Sequence, residues 1–528
     1  MALVASLFFA GACNTVFFTA VMVDRTWSDP STWIFVGAMA LLLTALHLAL
    51  LCLVLERRSA HVVLGVVIVT TAFATYYMQR FGVYIDPTMA RNVLQTEVPE
   101  ARELFGWGML PHLLVFAGLP LLLLSRVRLV ARTWPRALAT RIGWLTVALA
   151  VTVLTVLAVF QDFSSLMRNQ TSLRYLVTPA NIAYSVGHVL LAETREAVLP
   201  TIEIGLDAAL APSWAERRRP VLLVIVVGET ARAANWGLSG YARQTTPQLA
   251  ALDVINFRDV TACGTNTEVS LPCMFAPVGR RDYNEDRIRN SQSLLHVLDR
   301  AGFRVTWIDN QSGCKGVCDG LREERADVPV DPALCADGRC LDEVLLRGVD
   351  RLLKNPQGNA VLVLHMLGNH GPSYFKRYPP AFRRFEPTCD TGELRKCERQ
   401  AIVNAYDNAL LYTDHVVAQA IKRLQGASAH LDSALIYVSD HGESLGEKGL
   451  YLHGVPYAIA PAEQTQVPMV WWLSKGYAES FGLQRECLLS QAAQPATHDH
   501  LFHSTLGLLQ VQVGEYERKL DLSATCRR

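Results

Sequence analysis

The sequence predicts two unlike folds on one chain, an N-terminal five-helix transmembrane domain and a C-terminal α/β sandwich with a mainly parallel sheet. Three observations carry that reading. Five apolar runs, each long enough to cross a bilayer, crowd into the first 160 residues. From residue 220 short β-branched runs alternate with helical stretches. Ten of the twelve cysteines lie in the C-terminal part, and eight of them fall in close pairs.

The apolar runs are roughly 1–23, 33–55, 61–79, 109–125 and 142–160, and a helical span takes about 20 mostly apolar residues. The first lacks a basic n-region and a clean small-residue cleavage site, so it is expected as a retained anchor. Cationic loops stay on the cytoplasmic side. Arg57 and Arg58 therefore place the second connection there, and Arg126, Arg128, Arg132, Arg136 and Arg141 place the fourth. The third connection carries Glu97, Glu100 and Glu103 beside its arginines, in keeping with the opposite side. An odd number of spans then sends everything after residue 160 out of the cytoplasm. The expectation is a multi-pass protein of a bacterial inner membrane with a periplasmic C-terminal domain. A formal net charge of +1 gives no support to a nucleic-acid partner.

Three regions are expected: 1–160 with the spans and a periplasmic loop at 80–108, a bridge at 161–218, and a catalytic domain at 219–528. Trp214 with Arg217, Arg218 and Arg219 suggests that the bridge hugs the bilayer interface, where aromatic and basic residues anchor. In the loop, Met89, Val93, Val98, Leu104 and Phe105 predict a helix beginning near Asp86. Asn92, Thr96 and Glu100 recur every four residues and so share one face of that helix. Taken alone they read as a solvated polar face.

Cys13 and Cys52 sit in predicted spans, where packing accounts for them. The close pairs Cys263/Cys273, Cys314/Cys318, Cys335/Cys340 and Cys389/Cys397 read as local disulfides of an oxidising compartment. A zinc ribbon made of Cys314, Cys318, Cys335 and Cys340 is the rival reading, although its spacings lack the usual C-x2-C. Whether Cys487 and Cys526 form a further bridge stays open.

Val221–Val227 is a continuous apolar run of the kind found in a central strand buried on both faces. Similar runs occur at Val361–Leu364, Ala434–Val438 and Val467–Trp472, with helical stretches such as Ser291–Ala301 and Asn404–Leu424 between them. Ligands of such sheets bind beyond the carboxyl ends of the strands. The polar motifs fall there. Gly228-Glu229-Thr230 follows the first run, His365 and Gly368-Asn369-His370 the second, and Ser439-Asp440-His441-Gly442 the third, with His453 twelve residues beyond His441. Glu229, Asp440, His441, His370 and His453 make a carboxylate and imidazole set that suits zinc better than calcium or a thiolate-bound metal.

A nucleophile completes the set. Cys263–Cys273 encloses a hydroxyl-rich segment in which Thr267 is expected at the start of a helix, where backbone N–H groups favour phosphate. The alternative is that Thr267 is simply the helix N-cap. A threonine hydroxyl is a poor nucleophile at neutral pH. Zinc corrects that, as it brings bound water from a pKa of about 15.7 to about 7.

The ordered motifs VVGETARAANWGLSGYARQTTP, CGTNTEVSLPCMF, DNQSGCKGVCD, HMLGNHGPSYFKRYP, YDNALLYTDH and SDHGESLGEKGLYLHG resemble those of the phosphoethanolamine transferases of the alkaline phosphatase superfamily. That family includes lipid A modifying enzymes and the mobile colistin-resistance enzymes, and the resemblance runs over nearly the whole chain. It implies an alkaline phosphatase/sulfatase-like fold and Thr267 as the nucleophile. Glu229, Asp440 and His441, with the Thr267 oxygen, would hold the principal zinc. His370 and His453 would line the phosphoryl pocket, assist proton transfer or take a second zinc. Ser312 and Lys315 match positions near the transferred phosphate. Asn92, Thr96 and Glu100 match the family's lipid-donor residues, and the paired cysteines match its disulfides.

The activity so implied is transfer of phosphoethanolamine from phosphatidylethanolamine to a lipid A phosphate through a covalent threonine intermediate. A core sugar or periplasmic glucan is the alternative acceptor. A phosphatase-like or sulfatase-like hydrolase fits less well, because sulfatases need a modifiable Cys or Ser where Thr267 stands. A lipoteichoic-acid-type transferase fits the disulfide density poorly, and a non-catalytic sensor would not need the intact Glu229, Thr267, Asp440 and His441 set.

Overall fold

The computed structural model describes residues 1–23, 25–96, 98–196, 200–327, 330–336, 338–356 and 358–528. They fall into two units, Met1–Leu94 with Phe105–Ala192, and Gln95–Leu104 with Glu193–Arg528. The stretch 161–218, expected as a bridge, is thus shared between the two, and part of the loop at 80–108 belongs to the second.

Among the described residues of the first unit four helices are long and apolar enough to cross a membrane: Pro30–Val54, Ala60–Phe81, Met109–Arg126 and Trp134–Ala158. The first predicted span is a pair of helices, Ala2–Gly11 and Thr15–Val21, bent by 51°, and makes a fifth if the pair is one broken span. Buried Asn14 explains the break. Its amide nitrogen donates to Phe9 O at 2.8 Å and Thr178 O at 2.7 Å, and its Oδ1 accepts from Thr178 N at 2.9 Å. Backbone groups freed in an apolar environment need such partners. A second irregularity, the π turn Leu114–Gly118, precedes Pro120, whose missing N–H breaks the regular helical ladder. Pro30–Val54 packs chiefly on Trp134–Ala158 and Ala2–Gly11.

The loop helix departs from expectation. It is two helices, Pro87–Gln95 and Val98–Leu104, with Thr96 between them. Asn92, Thr96 and Glu100 therefore do not share one regular helical face. The apolar pattern was spread over both helices, and period alone did not reveal the interruption. Glu97 and the Glu100 side chain lie outside the described residues.

The second unit is built on eight strands: β1 Val221–Gly228, β2 Ile255–Thr261, β3 Arg304–Asp309, β4 Arg322–Arg325, β5 Ala360–His365, β6 Asp432–Ser439, β7 Gln466–Leu473 and β8 Ala496–Thr497. Their order across the sheet is β8-β2-β7-β6-β1-β5-β3-β4. The sheet is mixed. Five neighbour pairs run parallel, whereas β7 is antiparallel to both β2 and β6. All eight residues of β1 are buried, and they alternate between two cores. Val221, Leu223, Ile225 and Val227 face helices that include Thr267–Met274, Leu294–Arg300 and Asp499–Leu508. Leu222, Val224 and Val226 face Leu346–Lys354 and the long helix Arg399–Gly426. This layering of helices on both faces leaves the carboxyl edge of the sheet for polar loops.

Trp214, Arg217 and Arg219 have partners within this unit. The Trp214 ring packs edge-on to Phe303 and Phe481, and Arg217 stacks over both Trp214 and Phe481. Arg219 lies 3.6 Å from Asp432. The aromatic-basic cluster read as a bilayer anchor thus also makes packing contacts within the second unit.

Disulfides join Cys263–Cys273, Cys314–Cys318, Cys335–Cys340, Cys389–Cys397 and Cys487–Cys526. Cys314, Cys318 and Glu323 are close enough together to hold an ion, but the two sulfurs are bonded to each other, which removes the zinc-ribbon alternative. Cys487–Cys526 spans 39 residues, and chain entropy assigns a ring of that size about 4 kcal/mol. Replacing both cysteines by serine is expected to lower the melting temperature of the second unit by roughly 5 °C. Thermal unfolding of the oxidised, detergent-solubilised protein checks this, and an unchanged midpoint would refute it.

Candidate metal centre and nucleophile

The sheet register sets the positions of the site. Gly228 of β1 is level with Ser439 of β6, and Val227 is level with His365 of β5. Glu229 and Asp440, the next residues along their strands, therefore leave the sheet side by side. The backbone turns sharply at this point. Thr230 has φ 60°, a left-handed conformation rare for a β-branched residue. Strain of this kind costs of order 1–3 kcal/mol and collects at functional sites. Three contacts hold it: Thr230 N donates to Asp440 Oδ1 at 3.1 Å, Thr230 Oγ1 to Glu229 Oε1 at 2.5 Å, and Tyr406 Oη to Thr230 O at 2.6 Å. Gly368 fits beside it because a Cβ there would lie 2.5 Å from the Glu229 carbonyl oxygen, and its φ is +54°.

Glu229, Asp440 and His441 are all fully buried at 0% exposure, and their ligand atoms lie within 4.8 Å of one another. His441 Nε2 is 3.3 Å from Glu229 Oε1 and 3.4 Å from Asp440 Oδ2. On its other side, His441 Nδ1 donates to Gly442 O at 2.9 Å. That bond leaves the Nε2 lone pair of the neutral ring facing the carboxylates. Burial and the adjacent Glu229 carboxylate raise the Asp440 carboxyl to about 6. Burial works against the His441 imidazolium, but Asp440 and Glu229 outweigh it and raise the ring to about 10.

Asp440 Oδ2 is buried and accepts no hydrogen bond among the described residues. An orphaned carboxylate oxygen is costly, and two buried carboxylates with one imidazole are the donors a divalent cation takes. The residues present fit a metal.

Thr267 opens the helix Thr267–Met274 and is 7% exposed. The N-cap is Asn266, whose Oδ1 accepts from Val269 N at 3.0 Å. The capping alternative for Thr267 therefore falls away. Thr267 Oγ1 donates to Glu229 Oε2 at 3.0 Å and lies 3.3 Å from His441 Nε2. The hydroxyl stands among the donors of the metal centre.

The His370 and His453 rings are 5.5 Å apart, and His453 is 4.3 Å from the His441 ring. His453 Nδ1 meets Glu443 Oε2 at 2.7 Å, and Tyr374 Oη donates to Glu443 Oε1 at 2.5 Å. Burial and the neighbouring His441 lower the His453 pKa, with Glu443 opposing. Ser312 and Lys315 line a cavity of about 400 Å³ with Glu268, Arg289 and Gln292. Lys315, at φ 51°, places Nζ 3.4 Å from Glu268 Oε2.

Several residues here carried no sequence expectation. Gln311 Nε2 donates to Glu229 Oε2 at 3.3 Å. Glu443 orients His453, and Glu268 pairs with both Lys315 and Arg289, the latter at 3.1 Å. Asp309 holds His365 Nδ1 at 2.7 Å in a buried pair behind the site. Burial opposes ionisation of Asp309, but His365 prevails and lowers its pKa to about 2. Gln311, Glu443 and Glu268 each lie within two residues of one that was singled out, and position in those motifs was the signal that could have found them.

Residues 222–511 match the sulfatase family model, and residues 43–194 match the model of phosphoethanolamine transferase EptA/EptB. The chain is 39% identical to phosphoethanolamine transferase EptA of Escherichia coli strain K12, over 87% of this chain and 84% of that one. It is 39% identical to phosphatidylethanolamine transferase Mcr-1 of Escherichia coli, over 89% of this chain and 88% of that one. Among solved structures it is similar to the integral membrane lipooligosaccharide phosphoethanolamine transferase A of Neisseria meningitidis. That match has a TM-score of 0.95 and 37% identity and covers 100% of this chain and 99% of the other. The buried carboxylate and imidazole cluster, the threonine beside it and likeness over nearly the full length lead to one conclusion: the chain belongs to the phosphoethanolamine transferase family and is a phosphotransferase.

Proposed function

We propose that the chain transfers phosphoethanolamine from phosphatidylethanolamine to a phosphate of lipid A, with Thr267 carrying the group in between. The observation that bears most weight is the Thr267 hydroxyl, 3.0 Å from Glu229 and 3.3 Å from His441, inside a metal-fitting cluster. The ion would be zinc, which Glu229, Asp440, His441 and Thr267 would hold, and His370 and His453 could hold a second. When bound, it supplies a cation that lowers the pKa of the threonine hydroxyl and offsets charge on the phosphoryl group.

In the first half-reaction the Thr267 Oγ1–phosphorus bond forms and the bond from phosphorus to the diacylglycerol oxygen breaks. The departing oxygen takes a proton, in balance the one that Thr267 gives up, and His453 or His370 would carry it. In the second, a bond forms between a lipid A phosphate oxygen and phosphorus, the bond from phosphorus to Thr267 Oγ1 breaks, and the freed Thr267 oxygen takes back its proton. Glu443 keeps the His453 ring turned toward the site. Lys315 and Ser312 offset the charge of the phosphoryl oxygens, and Asn92, Thr96 and Glu100 contact the donor headgroup.

The chain sits in the inner membrane. Residues 1–160 supply five spans, the bent pair counting as one, 161–218 connect, and 219–528 work in the periplasm. Both lipids then stay in the bilayer throughout. The added ammonium group offsets lipid A negative charge and weakens polycation binding, polymyxins included.

Mass spectrometry of lipid A from cells expressing the chain tests the reading. A phosphoethanolamine adduct on lipid A, absent without the chain, is expected. Its absence despite an inserted protein would overturn the lipid A acceptor and direct the search to core sugars or glucans.

A further inference from the structure

Gln95–Leu104 lies in sequence between two apolar helices, yet it groups with the catalytic unit. Its two ends make polar contacts there. Gln95, with its amide turned so that nitrogen faces oxygen, donates to Glu268 Oε2 at 2.9 Å and Oε1 at 3.2 Å. Glu268 is the residue after Thr267 and is 1% exposed.

At the other end Glu103 takes both arms of the Arg377 guanidinium, with Nη1 to Oε1 at 3.2 Å and Nη2 to Oε2, and Arg339 Nε lies 3.5 Å from Oε1. Arg377 is itself 3% exposed, and its Nε donates to His370 O at 2.7 Å. The approach is close along the backbone as well. A Cβ on Gly392 would lie 3.0 Å from the Glu103 carbonyl oxygen.

A guanidinium buried this deeply needs a carboxylate in fork geometry, and without one it turns toward other acceptors or toward water. The bond that fixes the His370 backbone therefore depends on Glu103. We propose that Gln95–Leu104 is a strap that completes the catalytic site, and that Glu103 is a positioning residue for His370, acting through Arg377. This rests on the transfer reading above. It adds that a segment of the loop between membrane helices is a working part of the phosphoryl site.

The test uses the full chain in vesicles containing phosphatidylethanolamine and lipid A, with Glu103→Gln, Glu103→Asp and Thr267→Ala compared at equal amounts of inserted protein. For Glu103→Gln, kcat is expected to fall about tenfold with KM for the donor within about twofold, because loss of alignment at a reacting centre costs turnover. Glu103→Asp, which keeps the charge, is expected to recover most of that loss. A kcat for Glu103→Gln within about twofold of wild type, or equal impairment of both Glu103 variants, would overturn the strap. Should Glu103→Gln fail to accumulate, Arg377→Lys keeps the charge and loses the fork. A fall in kcat at constant KM then supports the proposal, and unchanged kcat overturns it. Transfer that survives Thr267→Ala would sink the transfer reading itself, whereas a silent Glu103→Gln beside an inactive Thr267→Ala sinks only the strap.

Discussion

Thr267→Ala is expected to reduce phosphoethanolamine transfer by at least about a thousandfold, since removing the nucleophile of a covalent mechanism leaves only binding and electrostatic catalysis. The fold should survive the change. The helix Thr267–Met274 is capped by Asn266, not by Thr267, and the lost hydroxyl donates a single side-chain bond, to Glu229. Thr267→Ser keeps an oxygen at the same place and is expected to retain activity within roughly one order of magnitude. A direct signature accompanies the rates. Brief incubation of the wild type with phosphatidylethanolamine alone, followed by acid quench and proteolysis, should yield a Thr267 peptide heavier by one phosphoethanolaminyl group. Transfer at near wild-type rate by Thr267→Ala, or the adduct appearing on another residue, would remove the proposed intermediate.

Much of this was legible in the chain, for physical reasons specific to each element. Val221–Gly228, Ala360–His365, Asp432–Ser439 and Gln466–Leu473 lie at the four apolar runs, with one or two residues added at their ends. Strands buried on both faces must be apolar throughout, and they announce themselves. Ile255–Thr261 was missed because Arg258 and Asp259 are exposed and break the run. Arg322–Arg325 was missed because a polar edge strand, Arg-Glu-Glu-Arg, carries no hydrophobic period at all.

Nothing in the composition of Gln466–Leu473 shows that it runs antiparallel to its neighbours. Direction is set by the connections, so the sheet is mainly parallel as expected, but the one strand that reverses could not be read from its residues. Glu229, Asp440 and His441 were readable because each follows a buried strand directly, so strand register alone brings them together. Gln311, Glu268 and Glu103 were not, since their roles depend on loops whose paths no periodicity encodes. Cys487–Cys526 stayed open for a similar reason: its partners lie 39 residues apart.

Asp440→Asn should separate metal binding from folding, with effects of opposite sign. Asp440 Oδ1 accepts from Thr230 N and His441 N, while Oδ2 is buried with no hydrogen bond among the described residues. An asparagine keeps the accepting oxygen and replaces the orphaned one with a neutral amide. Burial and the Glu229 carboxylate raise the Asp440 carboxyl from its ordinary 3.8 to about 6. A carboxyl whose pKa is higher folded than unfolded disfavours the folded state once ionised, and that loss accrues as pH rises from about 4 through 6. At neutral pH the metal-free Asp440→Asn protein is therefore expected to be at least as stable as the metal-free wild type. Its zinc affinity should fall by about a hundredfold or more, and transfer by about a thousandfold, because a charged ligand is gone from a site built around two. Chelator-treated wild type should lose activity and regain it on adding zinc, whereas Asp440→Asn should not respond. Thermal unfolding with and without chelator, beside zinc measured by elemental analysis, reads both effects. A variant that retains zinc and activity, or that loses stability equally with and without the ion, would show that Asp440 is a structural carboxylate and that the cluster is not the metal centre.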